Sequence, residues 1–204
     1  KRLKIENNQI NFIGSWKLEN DEISKNIINF FENNIDLQKD GSTGDGKNLD
    51  QKKTTDINIH PKNLRDQKFS VIKQYINELH KCYLDYQIQW PFLKDKINTV
   101  DIPTFNIQKY NPGDHFSHIH TERSSLNSLH RVFAWMTYLN DVEDGGNTYF
   151  THYDLKIKPE IGKTLIWPAE WTHAHKGEIL NKGLKYIVTG WIHLPYNYQV
   201  PQNV

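Results

Sequence analysis

RVFAWMTYLNDVEDGGNTYF, residues 131–150, holds an apolar run, a break and a second run. Val132 to Leu139 is rich in β-branched and aromatic side chains, EDGGN interrupts it from residue 143, and Thr148 to Phe150 resumes it. Two short strands joined by a turn is the structure this pattern predicts. The same grammar extends both ways. Upstream, Ile102 to Tyr110 runs into the turn signal NPGD at 111; downstream, Leu155 to Ile157, Lys163 to Trp167 and Leu184 to Leu194 are separated by PEIGK at 159 and NKG at 181. Short strands at this spacing predict a β-sandwich or jelly roll. At the open mouth of a jelly roll, side chains from distant parts of the chain can converge.

The first hundred residues read differently. Ile10 to Leu18 alternates loosely and predicts a strand. Asn20 or Asp21 can cap a following helix with Ile23, Ile27, Ile28, Phe30, Phe31 and Ile35 at helical spacing. DGSTGDGKN at 40–48 has no apolar residue and predicts a surface loop. KKTTDINIHP is a short extended segment ended by Pro61, and Ser70 to Gln89 carries Val71, Ile72, Tyr75, Ile76, Leu79, Cys82, Tyr83 and Tyr86 on one helical stripe. The expected fold class is mostly β with supporting helices (α+β). It forms one domain over 1–204, with a support region at 1–99 and a jelly-roll catalytic core at 100–195.

At 204 residues the chain can bury a substantial core. With 25 basic residues against 24 acidic ones, its formal charge of +1 gives no electrostatic case for nucleic acid or a membrane surface. Cys82 is the only cysteine, which excludes an intramolecular disulfide and a thiolate metal cluster; on its stripe it reads as a small buried hydrophobe. The sequence has no apolar run of membrane-spanning length, and KRLKIENN lacks the apolar core of a signal peptide. The expected location is the cytoplasm, or the host cytoplasm for a phage-encoded chain. Oligomeric state is not legible.

The chemistry concentrates in HIHTE, His118 to Glu122, and in WTHAHKG, residues 171–177. On a strand, residues two apart project to the same face, so His120 and Glu122 can act together, and His173 and His175 can share a face of a second strand. Two imidazoles and one carboxylate leave open positions on a metal such as Fe(II) and suit oxygen chemistry. An H-x-E pair alone is a weak pattern. His115, His130, His152 and His193 lie near these stretches without an evident role, and His60 and His80 read as surface residues. Gly145 and Gly146 read as a tight turn at positive φ.

YNPGDHFSHIHTE, RVFAWMTYLNDVEDGGNTYF, IKPEIGKTLIWP and HKGEILNKGLKYIVTGWI occur in that order over about residues 105–193. Together they resemble the prolyl 4-hydroxylase-like branch of the Fe(II)- and 2-oxoglutarate-dependent dioxygenases, particularly its short bacterial and phage forms. The resemblance implies a double-stranded β-helix (jelly-roll) core. The family places a tyrosine ahead of its first ligand histidine, and Tyr110 lies ten residues before His120, which favours His120 over His118. The carboxylate would be Glu122, where aspartate is commoner; the extra methylene asks for a slightly retracted backbone. A basic residue follows the distal ligand by ten positions, so Gly183 and Lys185 select His175 and leave His173 as a second-shell or substrate-side residue.

By the same resemblance Lys185 would pair with the distal carboxylate of 2-oxoglutarate, helped by the hydroxyls of Tyr138 and Thr148, and Tyr110 would reach the cosubstrate near the metal. Trp191 would wall the pocket and Arg131 would contact substrate. The implied cofactors are Fe(II), 2-oxoglutarate and O2, with ascorbate bound as a reductant. The implied reaction hydroxylates a C–H bond, first of all of a prolyl residue in a peptide or protein, and releases succinate and CO2. Loops 40–56 and 123–129 are the expected lids. Alternatives are an oxygenase of the same fold acting on a free amino acid or small molecule, a cupin-like zinc or nickel hydrolase, and a non-catalytic jelly-roll interaction module.

Overall fold

The computed structural model describes residues 10–42, 46 and 48–195. In chain order these residues form β1 (Gly14–Lys17), α1 (Asp21–Glu32), β2 (Gln38–Asp40), β3 (Lys52–Lys53), β4 (Thr55–Ile59), α2 (Ser70–Gln89), α3 (Pro91–Lys96), β5 (Phe105–Tyr110), β6 (His115–His120) and β7 (Arg131–Tyr138). Then follow β8 (Asp144–Gly145), β9 (Thr148–Phe150), β10 (Leu155–Ile157), β11 (Lys163–Pro168), β12 (His175–Gly177), β13 (Leu180–Lys182) and β14 (Lys185–His193).

The strands pair into a seven-stranded sheet of order β1-β11-β7-β14-β5-β4-β2, a five-stranded sheet of order β10-β9-β12-β6-β3, and the short ribbon β13-β8. Side-chain alternation along the seven-stranded sheet builds two cores. On β7, Phe133 and Trp135 face outward onto the helices with Tyr75, Leu79 and Tyr86 of α2. Ala134, Met136 and Tyr138 face inward with Phe150, Leu165, Trp167 and Ile187. Helices on one face, a second sheet opposite the other, and antiparallel strands throughout make the jelly roll that the strand spacing predicts.

The N-terminal support region supplies strands as well as helices. β1, β2 and β4 extend the seven-stranded sheet at its two edges, and β3 joins the other sheet beside β6. The predicted strand over Ile10 to Leu18 narrows to Gly14–Lys17. Asn20 is the N-cap of α1, accepting from the Glu22 amide at 2.8 Å. Ile35 falls beyond the end of α1 and is 75% exposed, so it is not part of the buried stripe. The helix over Ser70 to Gln89 holds at both ends. Cys82 lies buried on it, and burial pushes its thiol up to about 12. β3 and β4 fall within KKTTDINIHP, the expected extended segment, so the stretch 40–56 expected as a lid is not loop throughout; part of the predicted DGSTGDGKN loop, 43–45 and 47, lies outside the described residues. Among the described residues no helix is long and apolar enough to cross a membrane.

A buried chain of hydroxyls joins helix to sheet. The Tyr75 hydroxyl lies 2.7 Å from Thr137 Oγ1, which lies 2.8 Å from Thr164 Oγ1 on the neighbouring strand. Tyr75→Phe removes one end of this chain and should cost about 1 kcal/mol, whereas Thr137→Val strands both neighbours and should cost about 2–3 kcal/mol. Urea unfolding of the two variants against the parent checks the order.

Candidate metal centre

β6 and β12 are paired with His120 directly opposite His175, which brings residues from either half of the core together. One donor atom each from His120, Glu122 and His175 lies within 4.8 Å of the others. Glu122 Oε1 is 3.4 Å from His175 Nε2 and 3.8 Å from His120 Nε2. Donors about 2.1 Å from a common metal, in adjacent positions, stand roughly 3 Å apart, so the three need only close slightly to share an ion.

Both imidazoles are oriented in the same way. His120 Nδ1 donates to the carbonyl of His118, and His175 Nδ1 to the carbonyl of His173, each at 2.9 Å. A carbonyl can only accept, so each Nδ1 carries the proton and each Nε2 lone pair faces Glu122. Such backbone partners fix the tautomer of metal-binding histidines. Burial, and then the neighbouring His175, lower His120 to about 4. Burial alone would raise Glu122, but the adjoining His175 and His120 rings and the Trp191 indole, which donates to it, bring it down to about 2. At neutral pH the carboxylate is therefore ionised and His120 neutral, the forms that a divalent cation requires.

Two expectations about how these residues are carried need correction. β6 ends at His120, so Glu122 lies two residues past the strand, not on its face. His173 ends a 3-10 turn, Trp171–His173, and only His175 is on a strand. The turn gives His173 a different task. Its Nε2 bonds the Asn11 carbonyl at 2.7 Å and its Nδ1 pairs with Thr172 Oγ1 at 3.0 Å. Both ring nitrogens are occupied, and what His173 contributes to the centre is its main-chain oxygen.

The longer reach of glutamate is secured at three points. Trp191 Nε1 donates to Glu122 Oε2 at 2.5 Å, Arg131 Nη1 to the Glu122 carbonyl at 2.9 Å, and Thr121 Oγ1 to the Ala169 carbonyl at 2.9 Å. The Arg131 guanidinium also stacks 3.8 Å over the Trp191 ring. Trp191 thus braces the carboxylate and Arg131 braces Trp191 and the Glu122 main chain, both from the cavity wall.

The triad opens on a cavity of about 950 Å3 between the two sheets. Lys185, 3% exposed, lies in its wall. Its Nζ donates to the Gly146 carbonyl at 3.0 Å and sits 4.0 Å over the Tyr110 ring; no carboxylate among the described residues pairs with it. Gly145 and Gly146 are at positive φ, as the turn requires, and a Cβ on Gly146 would come within 3.2 Å of the Lys185 stem. Burial lowers Lys185 to about 7. Thr148 lines the same cavity, and Tyr138 sits behind it, donating to Thr148 Oγ1 at 2.5 Å. The Tyr110 hydroxyl donates to Gln108 Oε1 at 2.9 Å. Gln108 is held in turn by Asp56 at 3.0 Å, and Asp56 by the buried Lys52 at 2.8 Å. Sequence reading passed over Lys52, Asp56 and Gln108. The alternation in TDINI and FNIQKY, which places Asp56 and Gln108 on one inner face, was the available signal. His60 caps a 3-10 turn on the surface and His80 is exposed.

Residues 105–193 match the family model of the 2OG-Fe(II) oxygenase superfamily. Within the class, the likeness is to prolyl hydroxylases. Probable prolyl 4-hydroxylase 9 of Arabidopsis thaliana is 29% identical over 115 residues, covering 44% of this chain; the chain spans only 40% of that relative's length. A viral collagen prolyl hydroxylase of Paramecium bursaria Chlorella virus-1 superposes with a TM-score of 0.65 at 18% identity, over 90% of this chain and 96% of its own. A Pseudomonas putida prolyl-4-hydroxylase gives 0.68 at 13% identity, over 91% and 94%. A Trichoplax adhaerens prolyl hydroxylase in complex with a hypoxia inducible factor peptide fragment gives 0.69 at 14%, over 90% and 84%. At these identities the solved structures establish the jelly-roll fold. The family's cofactors are Fe(II) and 2-oxoglutarate.

Two outcomes test the site. Trp191→Phe keeps a ring but loses the Glu122 hydrogen bond, and should weaken Mn(II) binding about 10-fold or more in a calorimetric titration. Lys185 has its folded pKa lowered, so the unfolded chain holds more protons between pH 7 and the ordinary lysine range. Its contribution to stability therefore rises with pH across that window. Against the parent, Lys185→Met should be the more stable protein at pH 7, with an advantage that shrinks by pH 10 in denaturant titrations.

Proposed function

We propose that this chain is an Fe(II)- and 2-oxoglutarate-dependent dioxygenase that hydroxylates a prolyl residue in a peptide or protein. The observation that carries the reading is Lys185, a buried amine with no counter-ion among the described residues, in the same cavity as the triad. An uncompensated buried charge is costly, and a dicarboxylate cosubstrate supplies the missing partner. A zinc or nickel hydrolase has no use for that lysine, and an interaction module has no use for the triad. The name of the Arabidopsis relative and the peptide held by the Trichoplax enzyme favour a prolyl substrate.

In this reading His120, Glu122 and His175 hold the metal through Nε2, Oε1 and Nε2. Bound iron with O2 supplies the chemistry that couples decarboxylation of 2-oxoglutarate, to succinate and CO2, to insertion of one oxygen atom into a C–H bond. The chain's own part is orientation and exclusion of water. Trp191 holds the carboxylate and Arg131 the Glu122 main chain; Lys185 and Thr148 receive the distal carboxylate of the cosubstrate, with Tyr138 fixing the Thr148 hydroxyl. Tyr110, steadied by Gln108, closes the side of the pocket. Residues 123–129 stand at the cavity mouth through Ser124, Ser125 and Asn127, the place a lid would occupy. Ascorbate enters as the reductant that keeps the iron ferrous.

His175→Ala should abolish both Fe(II) retention and succinate release in the presence of a proline-containing peptide. His173→Ala leaves the main-chain oxygen in place and should retain metal binding, while losing about 1–3 kcal/mol of stability with the Asn11 hydrogen bond. Wild-type protein that binds neither Fe(II) nor 2-oxoglutarate would overturn the reading.

A further inference from the structure

The cavity is larger than a ten-atom cosubstrate fills; about 950 Å3 lies at the upper end for sites that hold drug-sized ligands. Its remaining length runs between β4 and β5 on one side and β6 on the other. The wall there includes neutral amides and hydroxyls, Asn58, Thr104, Asn106, Ser124, Ser125 and Asn127, with Phe116, His118 and Ile119 on the β6 side. Two of these are locked together. Asn58 and Asn106 stand opposite each other in the β4–β5 ladder, and their side-chain amides are hydrogen bonded at 2.5 Å. Whichever amide donates, the pair keeps one free carbonyl oxygen and one free NH2 group. An acceptor beside a donor is the complement of the N–H and C=O that an extended peptide presents.

A free amino acid fits this arm poorly. Its ammonium group needs a carboxylate, and the carboxylates in the wall among the described residues are Asp56 and Glu122. Asp56 is already bound by Lys52, Thr54 and Gln108. Glu122 is held by Trp191 and faces the two imidazoles. Nothing anionic is left over, whereas main-chain amides need no charge.

We propose that the Asn58–Asn106 pair reads a peptide group of the substrate main chain, so that the enzyme selects peptides over free amino acids. The inference rests on the hydroxylase reading above. The probes are an N-acetylated, C-amidated alanine–proline repeat of about ten residues and free L-proline, each given to the full chain with Fe(II) and 2-oxoglutarate. Wild-type protein should turn over the peptide in preference. Asn58→Ala and Asn106→Ala should each raise the peptide KM about three- to tenfold, the worth of one ordinary hydrogen bond, with kcat at saturation nearly unchanged. Replacing single amides of the peptide by esters tests the same contact without altering the protein. One position should raise KM in the wild type and have no further effect in Asn106→Ala. An unchanged peptide KM in both variants, or saturable turnover of free L-proline without turnover of the peptide, overturns this inference and leaves the dioxygenase intact. Absence of succinate with either probe, together with no binding of 2-oxoglutarate, overturns both.

Discussion

A single strand buried on both faces is the constraint on which this structure depends. β14 lies between β7 and β5 in the seven-stranded sheet, with Tyr186, Val188 and Ile192 packed against the helices and Ile187 packed inward. Its inward row also carries Lys185 and Trp191. Six steps of strand span roughly 20 Å, so one rigid element sets the buried Lys185 amine at one end and the brace of the Glu122 carboxylate at the other. Gly190 sits between them because a Cβ there would come within 2.8 Å of Phe105 and the Trp135 ring. The helices matter to the chemistry through this strand: by packing on its outer face they hold its inner face in register.

The choice of glutamate over aspartate has a physical account in the same region. β6 stops at His120, so the carboxylate must reach back from a chain that has already turned away. An aspartate placed there would bring its oxygens closer to the backbone. Glutamate spans the gap, at the cost of an extra rotatable bond that Trp191 then restrains. The cation stacked on the Trp191 ring and the anion bound to its N–H make a short chain of alternating charge along the cavity wall.

Much of this was legible in the sequence, and the gaps have a common cause. Period-two alternation located most strands of the core, and helical spacing located α2, because both report which face of a segment is apolar. Periodicity does not name the partner of a segment. The edge positions of β1, β2 and β4, the pairing of β3 with β6, and the buried Lys52–Asp56 pair all depend on contacts between residues far apart in the chain. The His120–Glu122–His175 convergence was reached through ordered motifs. The carriers of Glu122 and His173 are not legible for a local reason: strand periodicity runs on through HIHTE and WTHAHKG, whereas the chain bends after His120 and before His175.

The paired orientation of the two imidazoles has a consequence for how such a centre can change over time. Each ring is steered by an oxygen of the polypeptide backbone two residues earlier, which every amino acid possesses. The side chains at positions 118 and 173 are thereby not needed to orient the two rings, and His173 instead ties the segment at Asn11 to the sheet. Histidine geometry is inherited with the path of the chain, while the side chains around it stay open to drift and to new tasks.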